Sequence, residues 1–111
     1  MEIEKMVNDT QALSKRVHEL VGPWDPCALV TGLSVNVGSL AENVMITEGK
    51  RHPREGASVH LSRNIAGTLY ALIELSNFYG IDLESAWSET IQQGWQKLAK
   101  MENKATDNKS D

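Results

Sequence analysis

Apolar residues return every three to four positions from the start of the chain. Ile3, Met6, Val7, Leu13, Val17, Leu20 and Val21 form one stripe, the period of an amphipathic helix. Gly22 and Pro23 end it. In "WDPCALV", Asp25 is placed to cap a second helix and Pro26 to occupy its first position. That helix is predicted to run to about Gly49, roughly 35 Å at the helical rise per residue. "KRHPREGA", residues 50–57, reads as a loop. A third helix is predicted from Ser58 to Tyr79, with Leu61, Ile65, Leu69, Leu72 and Ile73 as its apolar face and Gly80 as its stop. Asp82 then caps a fourth helix whose face is Leu83, Trp87, Ile91, Leu98 and Met101. No strand pattern and no internal repeat is present.

Four helices with short connections predict an all-α fold, an antiparallel four-helix bundle formed by residues 1–101 as a single domain. Residues 102–111 are polar and are expected to be a frayed or disordered tail. Two of the helices are long for so small a core, and the third is apolar over much of its surface. Further burial between subunits is therefore expected, in a homodimer or a dimer of dimers.

Composition narrows the function classes. A length of 111 residues suits one domain. A net charge of -4 disfavours nucleic acid as a partner, because phosphate neutralisation needs clustered Lys and Arg. Cys27 is the only cysteine, which excludes an intrachain disulfide and a Cys-based zinc site and suits a reducing compartment. The first residues carry acids and no signal-peptide core, and no run of about 18 uninterrupted apolar residues occurs. A soluble, cytoplasmic protein with no membrane partner is the expectation.

Candidate chemistry lies in two uncharged stripes. On the second helix Gly32, Asn36, Ser39 and Asn43 run beside an apolar seam of Leu33, Val37, Leu40 and Val44. On the third, His60, Asn64, Gly67, Ala71 and Glu74 make a parallel stripe. If the two helices are neighbours, Asn36 and Ser39 face Asn64 and Gly67 across a shared cavity, where bundles build metal and ligand sites.

"LSVNVGSLAE" at 33–42, "EG" at 48–49 and "NIAGTLYALIELSNFYGIDLE" at 64–84 resemble the MazG-like all-α nucleoside triphosphate pyrophosphohydrolases over roughly residues 10–100. In that family the second helix carries L-x-E-E-x-G-E-L-x-E. The third carries E-x-A-D, followed by an apolar run and G-I-D-L-E. The resemblance implies that Mg²⁺, held by E-x-x-E and E-x-x-D, would position a water to cleave between the α and β phosphates. Here those four positions are Asn36, Ser39, Asn64 and Gly67. Mg²⁺ requires anionic oxygens, and none of the four supplies one.

The expectation is therefore a catalytically degenerate homologue with no catalytic residue, no metal ligand and no cofactor. It would bind a nucleotide or related phosphorylated metabolite without hydrolysis, through Asn36, Ser39, Asn64, Lys50, Arg51, Arg54, His60 and Arg63. One alternative is an active, Mg²⁺-dependent pyrophosphohydrolase that uses other acids. Another is a helical scaffold for a protein partner.

The remaining candidates have ordinary readings beside the functional ones. Glu42, Glu48, Glu55 and Glu74 could form a displaced metal site, but helical spacing does not gather them on one face, and solvated surface charge is expected. His52 and His60 suit loop and helix-end hydrogen bonds better than a metal pair. Lys50, Arg51, Arg54 and Arg63 form a local basic patch able to hold phosphate oxygens. Trp24 and Trp95 are open as base-stacking surfaces, whereas Trp87 falls on the apolar seam. Gly67 costs about 1 kcal/mol relative to alanine in a helix interior. A close backbone approach, room for a ligand, or simple drift would each account for it.

Overall fold

The structure is a computed structural model that describes residues 2–23, 25–56 and 59–109. Trp24 and Ser58 lie outside the described residues. Four helices are present and, among the described residues, no strand: α1 (Ile3–Val21), α2 (Pro26–Thr47), α3 (Leu61–Phe78) and α4 (Leu83–Lys109). The chain divides into two compact units, Met1–Gly80 and Ile81–Asp111.

Local chemistry sets the helix ends. Asp25 accepts the Ala28 N–H at 2.8 Å ahead of Pro26, so α2 begins where predicted. It ends two residues before the expected Gly49. Gly49 turns to φ +74°, while its N–H bonds the Ile46 carbonyl and that of Lys50 bonds the Met45 carbonyl. These paired bonds satisfy carbonyls that the last turn would otherwise orphan. Asp82 accepts from the backbone and the hydroxyl of Ser85 at the start of α4. From there α4 continues to Lys109, past the expected end at Met101. Residues 102–109 contain no Gly or Pro and several good helix formers, and the Thr106 hydroxyl bonds the Glu102 carbonyl at 3.0 Å.

In the first unit α3 packs against both α2 and α1. Helices α2 and α3 run antiparallel. Asn43 near the end of α2 meets Asn64 near the start of α3, while Leu29 near the start of α2 shares a groove with Asn77 and Phe78 at the end of α3.

The faces that meet differ from the predicted ones. Among the described residues the buried ones are Thr10 and Ser14 of α1, Leu29 of α2, and Ile73 and Ser76 of α3, whereas Leu13, Leu20 and Val21 of the predicted α1 stripe are exposed. On α3, Ile73 turns inward, while Ile65, Leu69 and Leu72 remain exposed. Helix α3 reaches α2 through Asn64 and α1 through Glu74, so polar pairs stand in its contacts with both neighbours. On α2, Val30, Val37 and Val44 are likewise exposed.

Helix α2 is also long and apolar enough, by length and composition alone, to cross a membrane. The core helix of a water-soluble bundle has the same character. In α4 the stripe Trp87, Ile91, Trp95, Leu98 and Met101 is exposed.

Candidate functional site

The two uncharged stripes touch at one point. Asn43 donates its side-chain amide to Oδ1 of Asn64, and the Thr68 hydroxyl bonds the Asn64 carbonyl at 2.8 Å. Asn36 is half-buried on the same line of α2, two turns before Asn43. Ser39 is exposed, because three residues of helical rotation carry it off that line. Gly67 is exposed too, and a Cβ built there meets nothing within 4 Å. The expected cavity shared by Asn36, Ser39, Asn64 and Gly67 is thus replaced by an Asn43–Asn64 contact flanked by Asn36. Among the described residues, no close backbone approach accounts for Gly67.

The basic loop is partly committed. Arg54 Nε lies 3.1 Å from Glu42 Oε1, whose side chain is 25 % exposed. Glu42 is therefore a paired group that ties the loop to α2, not the solvated charge the sequence suggested. Lys50, Arg51 and Arg63 are exposed and form no ion pair among the described residues. His60 stands at the N-cap of α3 with no side-chain cap bond, and its carbonyl accepts the Asn64 N–H at 3.0 Å. His52 is exposed in the loop. Among the described residues, no three His, Cys, Asp or Glu side chains gather as a metal group.

A second polar cluster joins α1 to α3. Ser14 Oγ donates to Glu74 Oε1 at 2.7 Å, and His18 Nε2 lies 3.2 Å from the same oxygen and 3.4 Å from the serine hydroxyl. Glu74 is not solvated surface charge: its side chain is 15 % exposed. Burial raises the Tyr70 pKa above the ordinary phenol value, the Glu74 charge adds to the rise, and the neighbouring Ser14 hydroxyl opposes it.

Serine, histidine and a carboxylate within this reach invite a hydrolase reading, which the geometry rejects. In a nucleophilic triad the imidazole stands between hydroxyl and acid, using one nitrogen for each. Here the serine donates directly to the acid, and one imidazole nitrogen faces both partners.

Beside the cluster lies an open groove of about 530 Å³, lined by Ser14, Lys15, His18, Leu29, Glu74, Asn77 and Phe78 among others. Asn77 Nδ2 is buried and has no hydrogen-bond partner among the described residues. An orphaned donor costs about 1–3 kcal/mol.

Sequence reasoning passed over Ser14, His18, Tyr70 and Asn77. One signal was available for the α1 members. The apolar stripe of α1 skips from Val7 to Leu13, and Thr10 and Ser14 hold positions in helical register with Met6, Val7 and Val17. Polar side chains at such positions ask for partners on the next helix.

No protein-family model, no curated protein and no solved structure matches this chain.

Proposed function

We propose that this protein is a MazG-like nucleotide pyrophosphohydrolase homologue that has lost hydrolysis and binds a nucleotide or related phosphorylated metabolite. The observation that carries the reading is the order and spacing of the two helical motifs, with Asn36, Ser39, Asn64 and Gly67 at the four positions of the family's carboxylates. The Asn43–Asn64 bond supports it by joining the two stripes with neutral donors and acceptors. Such groups hydrogen-bond a base or sugar and supply none of the negative charge that a catalytic Mg²⁺ needs. Lys50, Arg51 and Arg63, exposed around the connection between α2 and α3, supply charge for phosphate oxygens.

Self-association belongs to the same reading. The first unit buries only Leu29 and Ile73 among its described hydrophobic side chains. Val30, Val37 and Val44 repeat at a seven-residue interval on α2, and Ile65, Leu69 and Leu72 crowd one side of α3, all exposed. A second copy covering these faces supplies the missing core and makes α2 a buried helix of a soluble, cytoplasmic oligomer.

The test is a mass-spectrometric turnover screen against the common NTPs and dNTPs with Mg²⁺ and Mn²⁺, run beside equilibrium binding of the same nucleotides. Saturable binding without product is the expected result. EDTA-sensitive release of monophosphate and pyrophosphate overturns the loss of hydrolysis, and absence of binding to every nucleotide overturns the reading as a whole. In the variant Asn36→Glu, Ser39→Glu, Asn64→Glu, Gly67→Asp, recovered Mg²⁺-dependent turnover would show that the rest of the family's site survives.

A further inference from the structure

We propose that α4 pairs antiparallel with α4 of a second copy. The proposal rests on the self-association inferred above and gives it a second surface. Once the α2 faces hold two chains together, pairing of their α4 helices is an intramolecular event at high effective concentration.

The stripe on α4 has the period of a seam between helices. Ile91, Leu98 and Ala105 stand seven residues apart, and Trp87, Gly94 and Met101 repeat the same step four residues earlier. Two interleaved seven-residue repeats of this kind are the core positions of a coiled coil. Trp87, Ile91, Leu98 and Met101 on the seam are exposed, as is Trp95 beside it. Trp87, Ile91 and Trp95 also bound an open hollow, completed by Ser88, Gln92 and Gln96. A side chain from a facing helix fills such a hole.

Charge identifies a second copy as the occupant and sets its direction. In Leu83–Lys109, Glu84, Glu89, Glu102 and Asp107 balance Lys97, Lys100, Lys104 and Lys109, so the helix carries no net charge. Yet only acids occur before Trp95, and all four lysines follow it. A helix with an acidic half and a lysine-rich half is its own complement when the second copy runs the other way. The two helix dipoles then oppose each other as well. A parallel pair would gain Lys97 against Glu102, but it would set Glu84 against Glu84 on the seam and like halves side by side. A lipid surface is the poorer match, because interfacial helices rely on a basic polar face.

Size sets the register. A Cβ built on Gly94 meets nothing within 4 Å among the described residues. Glycine costs about 1 kcal/mol relative to alanine in a helix interior, and opposite Ile91 of a second copy it leaves the room that side chain needs. This register puts Trp87 opposite Leu98 of the second copy. It also brings Glu84 within about one helical turn of the second copy's Lys104. The centre of the pair falls between Gln92 and Gln93.

The experiment is pulsed electron-electron resonance on the full chain in a Cys27→Ser background, with a single spin label at Gln93→Cys or at Asn103→Cys. Light scattering on the unlabelled parent accompanies it. The parent is expected to be an oligomer, with a short intermolecular distance from position 93. Labels at position 103 are expected to lie roughly 30 Å apart along the axis, given the helical rise per residue. Ile91→Glu is expected to raise the dissociation constant of the oligomer at least about tenfold, while circular dichroism keeps its helical signal.

Equal distances at the two positions would mean a parallel pair and overturn the proposal. An oligomeric parent with no intermolecular distance at either position also overturns it, because α4 is then covered within its own chain or by another partner, and the self-association through α2 stands. A monomeric parent overturns both together. An Ile91→Glu variant that associates as tightly as the parent removes the α4 contact alone.

Discussion

Ser14 and Glu74, sixty positions apart in sequence, meet at 2.7 Å between α1 and α3. Both side chains are withdrawn from water: Ser14 is 8 % exposed, and the Glu74 side chain is 15 % exposed. Removing the donor while keeping the carboxylate leaves a charge with less solvation than it needs. Ser14→Ala is therefore expected to cost about 1–3 kcal/mol by urea unfolding. The double variant Ser14→Ala, Glu74→Leu should cost less than the sum of its singles, with a coupling of about 0.5–3 kcal/mol. Strict additivity would mean that the two groups do not interact in solution.

Tyr70 reports on the same cluster through pH. Burial, then the nearby Glu74 charge, hold its pKa above the ordinary phenol value. The folded state thus keeps the proton more tightly than the unfolded chain does. This contribution is fully present below the unfolded pKa and is lost as pH rises through the folded one. In a Tyr79→Phe background, absorbance titration of the one remaining tyrosine should give a midpoint above that of a model phenol. Adding Glu74→Gln should lower it part of the way, leaving the larger share due to burial.

The fold was legible to different depths in different places. Asp25 with Pro26, Gly49, Gly80 and Asp82 marked helix ends through local chemistry, and local chemistry is what a sequence states directly. The facing of each helix was less legible. Leu13 and Ile65 look like core by periodicity, yet they are exposed, because the contact faces of α1 and α3 are polar at Thr10, Ser14, Asn64 and Glu74. An apolar stripe gives the period of a helix but does not name the surface it meets. The Asn43–Asn64 contact lies one helical turn beyond Ser39, the nearer of the two α2 residues expected to face Asn64. The Ser14–His18–Glu74 cluster depends on which helices become neighbours, which spacing along one helix does not encode.

Gly67 offers a sharper test of what surrounds α3. Among the described residues nothing lies within 4 Å of a Cβ built there, and its helix pays the usual glycine penalty. If nothing else occupies that space, Gly67→Ala should stabilise the protein by about 1 kcal/mol in urea unfolding at low protein concentration. A loss of stability that deepens as concentration rises would instead place a second copy against this position.

Val30, Val37 and Val44 lie on one line of α2, at 47 %, 48 % and 43 % exposure. A seven-residue repeat keeps side chains on one side of a helix over two-turn steps, the spacing by which helices zip together. Fully burying a valine contributes about 1.5–3 kcal/mol relative to leaving it exposed, so completing the burial of three from each copy is worth several kcal/mol in an isologous pair. A carboxylate on this line would be desolvated without a partner in such a pair. Val37→Glu is therefore expected to convert an oligomer to a monomer in size-exclusion chromatography with light scattering, while circular dichroism retains the helical signal. The same variant separates a second chain from a lipid bilayer as the cover for α2. If α2 meets another copy, the parent protein stays in the soluble fraction after cell lysis and only its mass changes on substitution. If α2 enters a membrane, the parent sediments with membranes and Val37→Glu releases it.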